Sequence, residues 1–249
     1  MNLATTVLSS ATLVFAFSVQ ADTVLSFDFD AASPDYKYGY TYSEFGTGTH
    51  DNGVFSATGG NGGTAGLVTT FNTTPMSGGW AGFGTGLGDW RPAANYEALA
   101  GFATLSDLTL TLDARAGGLT GASAGVTFEL KFEAPDNTIT PNDGDTDTDV
   151  LLRLTSSRTL TSDFQTFSST LNTWTVAGGS VDQLKTYVGA VGNINFNIAY
   201  DANGTLPAFG NDADNSLAVD NYAITVVPEP STLALVGLGG IALLIRRRR

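Results

Sequence analysis

Apolar and polar residues alternate along much of the chain. Leu25, Phe27 and Phe29 fall on one side, with Ser26, Asp28 and Asp30 on the other. Leu108, Leu110 and Leu112 alternate with threonines. Val126, Phe128, Leu130 and Phe132 alternate with Thr127, Glu129, Lys131 and Glu133, the most regular strand pattern in the sequence. Leu152 and Leu154 flank Arg153, and Ile194, Phe196, Ile198 and Tyr200 are separated mainly by asparagines. Tyr222, Ile224 and Val226 repeat the pattern near the end. A period of two with one apolar face predicts antiparallel strands packed on one side. Helical period is missing, apart from a short turn predicted at Val181 to Tyr187. Turn-forming clusters separate the strands: Asp51-Asn52-Gly53, Gly59 to Gly63, Pro135-Asp136-Asn137, Pro141 to Asp149 and Asp201 to Gly204. The fold class expected is all-β, an antiparallel β-sandwich, with a jelly roll favoured over an immunoglobulin-like arrangement.

The two ends depart from this pattern. Leu3, Val7, Leu8, Leu13, Val14, Phe15 and Phe17 form an apolar core, and Val19-Gln20-Ala21 offers small residues for cleavage. Residues 1–21 are therefore expected to be a secretion signal. At the other end, Pro228-Glu229-Pro230 precedes an apolar run from Leu233 to Ile245 and the cluster Arg246, Arg247, Arg248 and Arg249. That run is expected to be a short transmembrane helix, with the arginines on the cytoplasmic side. Between them, residues 22–227 form one β-sandwich domain long enough for a sizeable core.

Charge narrows the partners. The chain has 11 Lys plus Arg against 24 Asp plus Glu, a net charge of -13, and four of the positives are the terminal arginines. An acidic body of this kind repels nucleic acid and anionic lipid headgroups. The chain has no cysteine, so disulfides, lipidation and thiol chemistry are excluded. The 30 glycines suit turns, while 15 Phe, 8 Tyr and 3 Trp argue for a packed core over disorder.

The ordered tail at residues 228–249 resembles the PEP-CTERM sorting signal. The resemblance implies export by a Gram-negative bacterium that makes exopolysaccharide. It further implies processing by an exosortase-like membrane enzyme, with this chain as its substrate. Initial anchoring in the inner membrane would precede a cell-envelope, cell-surface or extracellular-matrix destination. The body is similar to the jelly-roll sandwiches found among carbohydrate-binding modules. The likeness rests on Ser162 to Phe167 and on the closing stretch Ala218 to Ile224. In those modules an aspartate of the closing strand often helps hold structural calcium, which implies that role for Asp220.

Residue chemistry gives few catalytic leads. His50 is the lone histidine, so a multi-histidine metal centre is impossible. Glu44, Glu97, Glu129 and Glu133 are the carboxylates that glycosidase chemistry would draw on, but Glu129 and Glu133 read as a solvated strand face. Calcium is the candidate cofactor at Asp143, Asp145 and Asp147, whose oxygens recur at alternate positions. A second calcium candidate is Asp212, Asp214 and Asp220. Asp220 is in phase with Tyr222, Ile224 and Val226, so it is expected to start on the core side, where a carboxylate needs a metal or hydrogen-bond donors. Trp80 and Trp90 bracket a glycine-rich segment, and Tyr38 and Tyr40 lie in a row of tyrosines two apart. These four are the candidate glycan-stacking residues, with core filling as the alternative. Trp174 reads as a strand residue in the core. The expected function is a non-catalytic exported surface or matrix protein with exopolysaccharide as candidate ligand. The alternative is a carbohydrate-active enzyme, a glycoside hydrolase or lyase, on the same scaffold.

Overall fold

The strong alternations become strands whose apolar side chains are sealed from water. The structure, a computed structural model, describes residues 21–27, 54–71, 82–84, 93–135, 138–139, 149–199 and 215–227. One sheet has six strands: β1 (Asp22–Phe27), β2 (Val54–Ser56), β3 (Gly66–Phe71), β5 (Leu108–Gly117), β8 (Gln165–Thr170) and β11 (Asn215–Val226). The other has five: β4 (Gly82–Gly84), β6 (Ala124–Ala134), β7 (Asp149–Leu160), β9 (Thr175–Gly179) and β10 (Asn193–Ala199). All pairings are antiparallel. The six-stranded sheet runs β2-β3-β11-β5-β8, with β1 also paired to β11; the five-stranded sheet runs β4-β10-β6-β7-β9. The chain passes repeatedly from one sheet to the other, so neither sheet is a simple meander. This is a jelly-roll sandwich.

The core lies between the two inner faces. Leu108, Leu110 and Leu112 of β5 face Phe128, Leu130 and Phe132 of β6, and all six are buried. Ile194, Phe196 and Ile198 of β10 and Tyr222, Ile224 and Val226 of β11 are also buried, as their spacing predicts. Phe128 sits among rings from several elements. Phe167 of β8 meets it edge-on at 5.0 Å, Phe196 at 5.3 Å, and Trp174 lies 6.4 Å away. Phe196 extends the chain of rings to Tyr222 at 5.4 Å. Edge-on pairs add roughly 0.5–1.5 kcal/mol to the burial of each ring. Trp174 is in the core as expected, but it occupies the bend after the 3-10 turn Leu171–Thr173, just before β9, and its indole N–H donates to the Ser169 hydroxyl at 3.0 Å. The turn predicted at Val181 to Tyr187 is a helix, α1 (Val181–Thr186), capped by the Ser180 hydroxyl, which accepts from the Gln183 N–H at 3.0 Å.

Two expectations need correction. The first is the C-terminal transmembrane helix. Among the described residues no helix is long and apolar enough to cross a membrane. The thirteen residues Leu233 to Ile245 would reach only ~20 Å as a helix, short of the ~30 Å hydrocarbon core. That run lies outside the described residues, and the transmembrane helix, the membrane as partner and the inner-membrane anchoring drawn from it are set aside.

The second concerns Asp220. Leu217 and Val219 point into the core, and so do Tyr222, Ile224 and Val226. The inward side therefore changes from odd to even positions. A β-bulge between Asp220 and Ala223 makes the change, with Asn221 in the left-handed region at φ 48°. Asp220 thus lies on the outer face, directly opposite Asp113 of β5, yet only 1 % exposed because the segment Gly59–Thr64 covers it. Its Oδ2 accepts from the Asn61 N–H at 3.0 Å and from the Thr64 hydroxyl at 3.1 Å. That hydroxyl also reaches the Asn61 carbonyl at 2.7 Å. Its Oδ1 accepts from the Asn221 N–H at 2.7 Å. Gly60 must be glycine here: a Cβ would stand 2.0 Å from the Ala65 carbonyl oxygen and 2.7 Å from Asp220 Oδ2. Asp113 accepts from the Thr166 hydroxyl at 2.6 Å and from the side-chain amides of Asn221 at 2.8 Å and Asn61 at 3.1 Å. Burial pushes the Asp113 carboxyl up, but these three donors outweigh it and hold the group below the ordinary carboxylate range.

Two outcomes follow for stability. Phe128→Ala should lower unfolding free energy by roughly 3–5 kcal/mol, read by urea denaturation, since it empties the centre of the ring cluster. A loss under about 1 kcal/mol would remove Phe128 from that role. A carboxylate whose folded value lies below its unfolded one stabilises fully above pH ~4 and ceases to do so as pH falls through the folded value. Asp113→Asn should therefore cost about 1–3 kcal/mol at pH 7, because it sets an amide against two other amides. It should also make the acid-side loss of stability shallower than in the natural chain. Matching pH–stability curves would contradict this account.

Candidate functional site

The outer face of the five-stranded sheet carries an interlocked polar array of carboxylates, cations and amides. Alternation puts Glu129, Lys131 and Glu133 of β6 on that face, because their neighbours Phe128, Leu130 and Phe132 are inside. Register then sets β10 beside them: Asn197 opposite Glu129, Asn195 opposite Lys131 and Asn193 opposite Glu133. On the other side β7 places Arg153 opposite Lys131 and Thr155 opposite Glu129.

The side chains interlock across these strands. The Arg153 guanidinium grips Glu129 Oε2, with Nε donating at 2.6 Å and Nη2 also in contact. Lys131 Nζ lies 3.1 Å from Glu129 Oε1, which also accepts from the Asn197 amide at 3.2 Å. The Asn193 amide donates to Glu133 Oε2 at 2.6 Å. The two glutamates are 9 % and 7 % exposed, and Asn197 is 3 % exposed. The expectation of a solvated strand face is therefore corrected. A polar stripe on one strand says nothing of what its neighbours lay over it, and here long side chains from both flanking strands cover the carboxylates. Burial raises the Glu129 carboxyl, but the Lys131 and Arg153 charges, reinforced by their hydrogen bonds, outweigh it and hold the group below its ordinary value. The Oδ1 atoms of Asn193 and Asn195 are buried with no hydrogen-bond partner.

Chemically, this face offers fixed donors and acceptors with no net charge, since Glu129 and Glu133 are matched by Lys131 and Arg153. It is poorly arranged for acid–base catalysis. Glu129 and Glu133 lie on one strand, and each carboxylate is engaged by neighbouring side chains instead of facing the other across a gap. A general acid also needs a raised proton affinity, and that of Glu129 is lowered. Glu97 stands exposed in the 3-10 segment Ala93–Gly101, which belongs to neither sheet.

Most of the candidates read from the sequence lie outside the described residues. These are Trp80, Trp90, Tyr38 and Tyr40; Asp143, Asp145 and Asp147; Asp212 and Asp214; His50 and Glu44; and Pro228, Glu229, Pro230 and the arginines Arg246 to Arg249. Asp220 alone of the calcium candidates is described, with the three donors given above. Among the described residues no group of three His, Cys, Asp or Glu side chains is placed to hold a metal ion. The asparagines of β10 were missed as site residues. Their spacing marked them as the outer face of a strand, but their pairing with glutamates 60 and 68 residues earlier is a matter of sheet order.

Comparisons with known proteins bear on the two parts of the chain separately. No curated protein matches it. Among solved structures, the family 11 carbohydrate-binding module from Clostridium thermocellum, in complex with a β-1,3-1,4-mixed-linked tetrasaccharide, is similar at 14 % identity and TM-score 0.48, over 85 % of this chain and 98 % of that one. The family 30 carbohydrate-binding module of a cellulosomal cellulase of Clostridium thermocellum matches at 13 % identity and TM-score 0.43, over 78 % and 95 %. The CBM22-1 xylan-binding domain from Paenibacillus barcinonensis Xyn10C matches at 14 % identity and TM-score 0.39, over 85 % and 98 %. At such scores the likeness carries no weight for ligand or residue roles. Residues 226–249 match the PEP-CTERM protein-sorting motif, so this β-sandwich is a chain that carries that sorting motif at its C-terminus.

Proposed function

We propose that the protein is a non-catalytic surface or extracellular-matrix component that is processed by an exosortase-like enzyme and binds a neutral polysaccharide. The observation that carries the binding part is the interlocked, charge-balanced polar face built on Glu129, Arg153 and the asparagines of β10. Sugar hydroxyls both donate and accept, and a rigid array of amides, carboxylates and cations meets them without reordering, which lowers the cost of binding. Trp80, Trp90, Tyr38 and Tyr40 are proposed as the stacking partners of the sugar rings. The engaged carboxylates and the lowered Glu129 favour binding without turnover over a hydrolase.

Calorimetric titration of the full chain with exopolysaccharide from the native host tests the binding. Asn195→Ala removes a half-buried amide side chain from the middle of this face, so it should weaken binding about fivefold and change unfolding free energy by under about 1 kcal/mol. No reducing ends should form. Unchanged affinity in Asn195→Ala would take this face out of the binding, and released oligosaccharide would make the protein an enzyme.

Processing is tested by intact-mass measurement of the protein from its host. The matched motif leads us to expect a mature form without Arg246 to Arg249. A mature extracellular form that keeps all four arginines would count against cleavage near the motif.

A further inference from the structure

The six-stranded sheet carries a cleft on its own outer face, bordering the Asp113–Asp220 pair. It lies between the segment Gly60–Gly62 and the turn Ser162–Phe164, with Arg115 of β5 lining it between them, and holds about 370 Å³. That volume is at the lower end of small-molecule sites, ~300–1,000 Å³. The Arg115 guanidinium rests over the Phe164 ring at 5.2 Å. Stacking of this kind fixes the plane of the guanidinium; its Nε is buried, so a ligand meets the two Nη groups.

Arg115 differs from the other described cations. Lys131 and Arg153 are committed to Glu129. Arg158 lies over the Trp174 ring at 5.9 Å and donates to the Ser169 hydroxyl at 3.2 Å. Lys185 is exposed in the last turn of α1. Arg115 forms no ion pair among the described residues, and its Nε, like that of Arg158, is buried without a hydrogen-bond partner; what sets Arg115 apart is its place in the cleft. The nearby Asp113 does not serve it, because its oxygens are taken by Thr166, Asn61 and Asn221. Among the described residues Arg115 is therefore an oriented guanidinium without an ion pair, although the exposed Asp163 lines the same cleft, and it keeps N–H groups to offer an anion.

We infer that this cleft binds the carboxylate of a sugar acid, a uronate residue of an acidic polysaccharide. A planar carboxylate matches the guanidinium fork, whose charge-assisted bonds are about twice as strong as neutral ones. Ser162, Asp163 and Asn61 around it offer hydroxyl, carboxylate and amide groups to ring hydroxyls. A ligand with one carboxylate and several hydroxyls answers all of these together. The site is on the other sheet from the Glu129 face and does not depend on the binding proposed there.

Titration of the full chain with trigalacturonate and with its methyl ester tests the inference, since the two share rings and hydroxyls and differ in charge. The acid should bind at least about tenfold more tightly than the ester. Arg115→Ala should erase that preference, and Arg115→Lys, which keeps the charge without the fork, should reduce it. Binding of neutral host polysaccharide should be unchanged in Arg115→Ala. If Arg115→Ala fails to fold by circular dichroism, Arg115→Lys decides the matter. Equal affinity for acid and ester, wild-type affinity in a folded Arg115 variant, or no binding of the acid would overturn the inference. Tighter binding of free glutamate than of trigalacturonate would assign the cleft to an amino-acid ligand and overturn it too.

Discussion

Strand β11 lies at the centre of its sheet and must serve one core along twelve residues. It borders β5 along one edge, while β3 takes the first half of its other edge and β1 the second. Without the bulge, Leu217 and Val219 would face the core and Tyr222, Ile224 and Val226 would face out, because a strand's side chains alternate strictly. The extra residue at Asp220–Asn221 resets the alternation and lets both halves feed the same interior. The cost is a local break in the ladder and a residue at φ 48°, which asparagine tolerates better than most. Asn221 then uses both its backbone and its side chain to tie Asp220 and Asp113 together. The segment Gly59–Thr64 is clamped over the pair, and it is also one wall of the Arg115 cleft.

The acidic chain handles its buried carboxylates in two ways. On the six-stranded sheet, Asp113 and Asp220 are stabilised by neutral donors: amides, hydroxyls and backbone N–H groups. On the five-stranded sheet, Glu129 is stabilised by cations. The first arrangement consumes no positive charge, and the chain has few to spare. Because the asparagines and threonines around the bulge do that work, Arg115 is left uncommitted two residues from Asp113. Had Asp113 been neutralised by Arg115, as in an ordinary surface ion pair, the cleft would hold no free guanidinium.

Much of the sandwich was legible in the sequence, and the reason is physical. Val126 to Glu133 and Ile194 to Ile198 each serve one core face and one outer face, so strict alternation leaves a readable trace. The bulge leaves no such trace. Asp220-Asn221-Tyr222 reads as a continuation in phase with the residues after it, and only Leu217 and Val219 on the wrong parity hinted otherwise. The partners of Asp220 lie 156 and 159 residues away, which no local pattern can supply. Glu129 and Glu133 were correctly placed on an outer face but misread as solvated, since their burial comes from Asn197, Asn193 and Arg153 on other strands. The candidates in the glycine-rich and tyrosine-rich stretches were chosen for their chemistry, and they lie outside the described residues.

The net charge argues against an anionic ligand, yet range decides between the two effects. Mean charge governs approach from a distance, and at physiological ionic strength it is screened over about 8 Å. A carboxylate within hydrogen-bond distance of Arg115 lies well inside that length. There the fork geometry and the Phe164 stack dominate over the summed field; Asp113 already has its lone pairs engaged, and the exposed Asp163 on the cleft wall is a local charge that works against an anion. Distant acidic groups therefore slow the encounter more than they weaken the bound state. The same reasoning separates the two faces. The Glu129 face has matched charges and favours ligands by hydroxyl pattern, whereas the Arg115 cleft favours them by charge and planarity. Composition sets what the surface repels on average, and side-chain commitments set what each face selects.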